Sequence, residues 1–151
     1  MDRQQLINRL NWFYSLEMNQ VELYTIQSKK VDDIYIKKVL ERVAEIESGH
    51  VQNIGEKIRE LGGTPTLLGE MLSPVTGKIA GFLTAWPGII TVLKADIALE
   101  EKAMKDYKDF ILQSGNDVNL FALLWSNLVD EDLHTSWFAS KVGELEKQIL
   151  N

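Results

Sequence analysis

Apolar residues recur every three or four positions in four long runs, the period of a helix buried along one side. The first run opens at Asp2, an N-cap with Gln5 placed to complete a capping box, and follows Leu6, Leu10, Phe13, Glu17, Val21, Tyr24 and Ser28. A polar turn over residues 29–33, with an aspartate as cap, leads into Ile36, Leu40, Val43, Glu47, His50, Ile54, Ile58 and Leu61, stopped by Gly62-Gly63-Thr64-Pro65. The third run is Leu93, Ile97, Glu100, Met104, Tyr107 and Ile111, ending near Gln113 at Ser114-Gly115-Asn116. Asp117 caps the fourth, which follows Leu120, Leu124, Asn127, Glu131, His134, Phe138, Val142 and Leu145. Turns this short make the members of each pair antiparallel neighbours. Residues 66–77, with Gly69, Pro74 and Gly77, read as a long crossover, and a short extra helix precedes Pro87. The pattern predicts an all-α, antiparallel four-helix bundle built from two helical hairpins in one domain over residues 1–151.

Charged residues interrupt each apolar stripe near its middle. The chain contains only two histidines, and each follows a glutamate by three positions, in Glu47-Ser-Gly-His50 and Glu131-Asp-Leu-His134. Scattered glutamates would produce that coincidence about one time in a hundred. Three positions apart on a helix is one face, so each carboxylate and imidazole converge. The hairpins also repeat: Glu17 to Glu100 and Tyr24 to Tyr107 are 83 apart, while Glu47 to Glu131 and His50 to His134 are 84 apart. The one-residue change falls in the second turn. Two hairpins related by an approximate twofold axis would each send Glu, Glu and His inward.

Four carboxylates in an apolar interior require compensating positive charge, because desolvation costs several kcal/mol per ion. Two divalent cations supply it. Oxygen-rich ligation with two imidazoles suits two iron ions, or manganese, and the lack of thiolates argues against structural zinc. By symmetry one metal takes Glu17 and His50, the other Glu100 and His134, with Glu47 and Glu131 bridging. Glu22 and Glu101 compete with Glu17 and Glu100, and the stripes and the tyrosines seven residues on favour the latter. Tyr24 and Tyr107 are candidates for hydrogen bonding to a ligand carboxylate or for redox roles beside the metals, with packing as the commoner use of a buried tyrosine. Asp130 is a candidate hydrogen-bond partner for His50, with solvent exposure as the competing reading.

Composition narrows the chemistry. The 151 residues are 45% hydrophobic and 25% charged with three prolines, ordinary for a globular domain of long helices. Zero cysteines exclude disulfides, iron–sulfur clusters and a fused rubredoxin-type module, so any electron donor is a separate molecule. Sixteen basic against 22 acidic residues leave a net charge of -6 without a basic cluster, which argues against nucleic acid as a partner. The start, Met-Asp-Arg-Gln-Gln-Leu, reads as a helix start without an export signal, and a cytoplasmic location is expected. Residues 79–93 are apolar-rich but too short, with Pro87 inside, for a membrane span. Three readings compete for them: a lid, a homodimer contact, or peripheral contact with a membrane surface.

Glu17-Met-Asn-Gln-Val-Glu-Leu-Tyr24 followed by Glu47-x-x-His50, then Ala98-Leu99-Glu100-Glu101 followed by Tyr107 and Glu131-x-x-His134, resembles the ferritin-like di-iron carboxylate superfamily. Within it the chain is similar to the demethoxyubiquinone hydroxylase family, as is Gly81-Phe82-Leu83-Thr84-Ala85. Rubrerythrins share the six-ligand core but carry a cysteine-rich module absent here. Where the hydroxylase family places histidines after the third-helix glutamate, this sequence has Lys105-Asp106-Tyr107. The resemblance implies a di-iron oxidoreductase that activates O2 or H2O2 and hydroxylates a quinone-like molecule. The alternative is an iron-handling ferroxidase, or a rubrerythrin-like peroxidase, with no organic substrate.

Overall fold

The computed structural model describes residues 1–68, 81 and 85–150, and among them it shows four helices and no strand. They are α1 (Arg3–Lys30), α2 (Ile34–Glu60), α3 (Ile89–Gln113) and α4 (Val118–Leu150). Each falls within a few residues of the run that predicted it. Most of the expected crossover, and the expected short helix before Pro87 except Gly81 and Ala85–Trp86, lie outside the described residues. The chain divides into two compact units, Met1–Trp86 and Pro87–Asn151, each holding one hairpin.

In the first unit the predicted caps form. Asp2 accepts from the Gln5 amide at 2.8 Å, and the Gln5 side chain accepts from the Asp2 amide at 2.9 Å, which closes the capping box. The Asp33 carboxylate accepts from the amides of Tyr35 and Ile36, each at 2.9 Å, and starts α2 after a three-residue turn. At the far end the Gly63 amide donates to the Ile58 carbonyl at 2.9 Å, and Gly62 takes φ 73° to allow it. The Arg3 guanidinium donates to the Leu61 carbonyl, tying the start of α1 to the end of α2 and fixing the pair as antiparallel. The backbone leaving α2 then folds against α1: Asn11 accepts from the Thr66 amide at 2.7 Å, and the Ser15 hydroxyl from the Leu68 amide at 2.9 Å.

The second unit repeats the plan. Gly88 opens α3, the Asp117 carboxylate caps α4 through the Leu120 amide at 2.9 Å, and Lys94 near the start of α3 pairs with Glu146 near the end of α4. Thr135 donates to the Met104 sulfur at 3.5 Å halfway along the same antiparallel pair.

The buried faces match the expected stripes closely in α2 and α4 and less so elsewhere. Leu61 and Leu145, at the ends of their stripes, are only half-buried. In α1, Leu6 and Val21 are half-buried while Ile7 and Leu23 are enclosed. In α3 the enclosed positions are Val92, Leu93, Asp96, Glu100, Ala103, Tyr107 and Phe110, one residue before the expected Ile97, Met104 and Ile111. Steps of three and four reach Glu100 and Tyr107 by either route, and the periodicity favoured the larger apolar side chain each time.

Two glycines in the first unit should respond with opposite signs to alanine. Gly62→Ala forces a left-handed backbone and sets a methyl against the Arg3 guanidinium, and should destabilise by about 1–2 kcal/mol. Gly49, inside α2 with nothing near its missing Cβ, should stabilise by roughly 0.5–1 kcal/mol as Gly49→Ala. Urea denaturation of the two variants measures both.

Candidate metal centre

Glu17 lies in the middle of α1, and Glu47 and His50 are three residues apart on α2, all on the buried side of the first hairpin. Both carboxylates are fully enclosed and His50 is 3% exposed. The imidazole turns one nitrogen to both carboxylates: Nδ1 lies 3.0 Å from Glu47 Oε2 and 3.4 Å from Glu17 Oε2. One ligand atom from each of the three lies within 4.8 Å of the others. Atoms bound to one ion at about 2.0–2.2 Å sit no more than about 4.4 Å apart, so the triad is close to a coordinating arrangement without rearrangement of its helices.

The second hairpin reproduces this arrangement with its own residues. Glu100 comes from α3 and Glu131 and His134 from α4, with both glutamates enclosed and His134 5% exposed. Again Nδ1 faces the carboxylates, 3.6 Å from Glu131 Oε2 and 4.0 Å from Glu100 Oε1. The repeat seen as an offset in sequence is thus a repeat of geometry down to the choice of ring nitrogen. The competing Glu22 and Glu101 are exposed, and Asp130 is partly exposed.

The donor set fits a hard to borderline divalent cation. Each triad brings carboxylate oxygens and one imidazole and no sulfur, which suits iron or manganese. Among the described residues every lysine and arginine is at least partly exposed. Within either triad the histidine is the sole side chain able to carry positive charge.

Tyr24 and Tyr107 are both fully enclosed. The phenol oxygen of Tyr107 accepts from the Asn127 amide at 3.0 Å, so the tyrosine is oriented by a residue one turn before Glu131. Asn127 was visible in the sequence as a polar residue on the stripe, whereas Asp96 was missed. That carboxylate is fully buried one turn before Glu100, and the only signal for it was that Leu93, Asp96 and Glu100 fit helical spacing as well as Leu93, Ile97 and Glu100. The repeat pairs Asp96 with Phe13 and Asn127 with Val43, so the two halves differ beside otherwise matched ligands.

The family model of the ferritin-like domain matches residues 7–148. No curated protein matches the chain in sequence. Among solved structures, a bacterioferritin of Desulfovibrio desulfuricans, studied with its diiron site in different catalytic states, superposes with a TM-score of 0.79 at 18% identity. The match covers 96% of this chain and 82% of that one. A dodecameric thioferritin, the bacterioferritin-related protein of Bacteroides fragilis, matches with a TM-score of 0.79 at 20% identity, over 100% of this chain and 94% of that one. Similarity at this level of identity establishes the fold: an all-α bundle of four helices.

The Tyr107–Asn127 bond can be weighed by a double-mutant cycle. Tyr107→Phe leaves a buried amide without its acceptor and should cost about 1–3 kcal/mol, whereas adding Asn127→Val, the residue type at the matching position 43, should recover most of that loss. Guanidinium unfolding of the single and double variants gives the coupling.

Proposed function

The chain belongs to the ferritin-like domain family, and we propose that its two buried triads together hold a pair of iron ions and oxidise them with dioxygen or hydrogen peroxide. The observation that carries this reading is the duplicated, enclosed Glu and Glu-x-x-His set, with the same nitrogen of each histidine turned to its carboxylates. The fold shared with a protein studied for its own diiron site supports it.

Each residue has a definable task. Glu17, Glu47 and His50 would hold one ion, and Glu100, Glu131 and His134 the other. Four carboxylates would balance the charge of two ferrous ions, so the loaded set would be neutral. With Nδ1 as ligand, each imidazole would carry its proton on Nε2. Enclosure of all six side chains keeps bulk water from competing for the ligand positions. As substrate, two ferrous ions and one hydrogen peroxide with two protons give two ferric ions and two waters. Without cysteines to carry electrons, re-reduction requires a separate donor.

Hydroxylation of a quinone-like molecule is the second reading. The Gly81-Phe82-Leu83-Thr84-Ala85 stretch and the run from Glu17 to Tyr24, which resemble the hydroxylase family, favour it, while Lys105-Asp106-Tyr107 stands where that family has histidines. Here too reductant comes from outside. Peripheral membrane contact by residues 79–93 would bring such a substrate. The described part of that stretch encloses Val92 and Leu93, and no described helix is long and apolar enough to cross a membrane.

Anaerobic loading followed by metal analysis should give about two irons per chain, falling to one or none in Glu47→Ala and in Glu131→Ala. Two ions retained in both variants would refute the ligand assignment. Stopped-flow mixing of the ferrous protein with oxygen, and separately with peroxide, should produce near-ultraviolet ferric absorption faster than free iron does. Oxidation no faster than in buffer rejects the reading, and oxygen uptake that depends on added quinone selects the second one.

A further inference from the structure

Helix α4 carries its ligands on one side and an unusual surface on the other. Val118, Phe121, Trp125, Val129 and Leu133 are 76, 45, 52, 42 and 60% exposed, and steps of three or four place them along the face opposite Leu124, Glu131 and His134. Phe121 and Trp125 stack with ring centroids 6.0 Å apart and planes 9° from parallel, so the patch is organised before anything covers it. The outward side of α2 is of a different kind, with Lys38 paired to Glu41 and Arg42 to Glu45 in water.

We propose that this face of α4 is the twofold contact of a homodimer, two copies of the helix crossing antiparallel at Trp125. The five side chains leave roughly 550 Å² in water, near the upper end of the largest apolar patch a typical monomer exposes. Covering them in two copies removes on the order of 1,100 Å², about the smallest area that supports a specific interface. The patch is also self-complementary. Trp125 lies at its midpoint, so an antiparallel copy sets Trp125 against Trp125, Phe121 against Val129, and Val118 against Leu133, as an isologous contact demands. Ala122 and Ser126, both exposed and small, flank the midpoint and let the helices approach. In that arrangement Asp130 and Asp132 fall beside the amino-terminal turn of the other α4, where the helix dipole favours negative charge.

Charge separates this occupant from a bilayer. From Val118 to Ser140 the helix has no lysine or arginine and three acidic residues, the reverse of a surface that settles on anionic lipid. The proposal does not depend on the metal reading, because none of its residues is a ligand.

Sedimentation equilibrium of the full chain should give twice 17.2 kDa, or a larger even multiple. Trp125→Glu should raise the dissociation constant of the pair roughly a hundredfold or more, with helical circular dichroism unchanged. Independently of that variant, the chain's lack of cysteine allows a register test. Mixed Ala122→Cys and Val129→Cys proteins should oxidise to a covalent dimer far faster than either alone. A native mass of one chain, an assembly that Trp125→Glu leaves intact, or no preference for the mixed pair each overturns the proposal. So does sedimentation with phosphatidylcholine–phosphatidylglycerol vesicles that Trp125→Glu abolishes, which would assign the face to membrane.

Discussion

The constraint behind this structure is the burial of carboxylates among apolar side chains. Glu17, Glu47, Glu100 and Glu131 are fully enclosed, together with Asp96, while every described lysine and arginine stays at least partly in water. An enclosed carboxylate without a compensating cation costs several kcal/mol, of the order of the stability of a whole domain when four are summed. Long helices are what make the arrangement possible. They satisfy their own backbone polar groups, so the interior has only side-chain charge to neutralise, and one Glu-x-x-His step per hairpin presents two ligands at one point.

The same constraint explains which parts of the molecule were legible in sequence. A glutamate or histidine on an apolar stripe is conspicuous because little else belongs there, and α2 and α4 follow their predicted faces residue by residue from Ile36 to Ile58 and from Leu120 to Val142. The caps at Asp2, Asp33 and Asp117 were equally readable, since a short acidic side chain before a periodic run has one economical use. In α3 the signal was degenerate. Isoleucines at 97 and 111 and a methionine at 104 offered an apolar route to Glu100 and Tyr107, yet the helix encloses Asp96, Ala103 and Phe110. Hydrophobicity selects a face only where the neighbouring face is polar, and α3 is apolar over too wide an arc to decide. In α1 the buried side is broad and holds Asn11, Ser15, Asn19, Gln20 and Gln27, because it meets both α2 and the strap over residues 64–68 that Asn11 and Ser15 tie down.

The two triads repeat one another, but the halves are not equal. Tyr107 is held by Asn127, while the residue matched to Asn127 is Val43, which offers no such bond to Tyr24; Asp96 is matched by Phe13. The triad distances follow the same direction, 3.0 and 3.4 Å around His50 against 3.6 and 4.0 Å around His134. Surroundings that differ in this way would tune basicity and affinity differently even around identical donors. Identical donors would therefore not make two equivalent metal positions.

Helix α4 connects the two conclusions. A helix that buries one face against its hairpin partner normally turns a charged face to water, whereas one that is apolar all round is enclosed on every side. From Val118 to Leu133 this helix is apolar on two sides, with Leu120, Leu124 and Leu128 inside and Val118, Phe121, Trp125, Val129 and Leu133 outside. Glu131 lies on the turn between Val129 and Leu133, so a partner helix seated on that surface would also stiffen the segment that presents Glu131 and, one turn on, His134. Rigid backing is what a ligand set needs to hold its geometry, because a site displaced by an ångström loses the alignment of its donors. The proposed assembly through α4 and the proposed metal binding by α4 would therefore draw on a single rigid element.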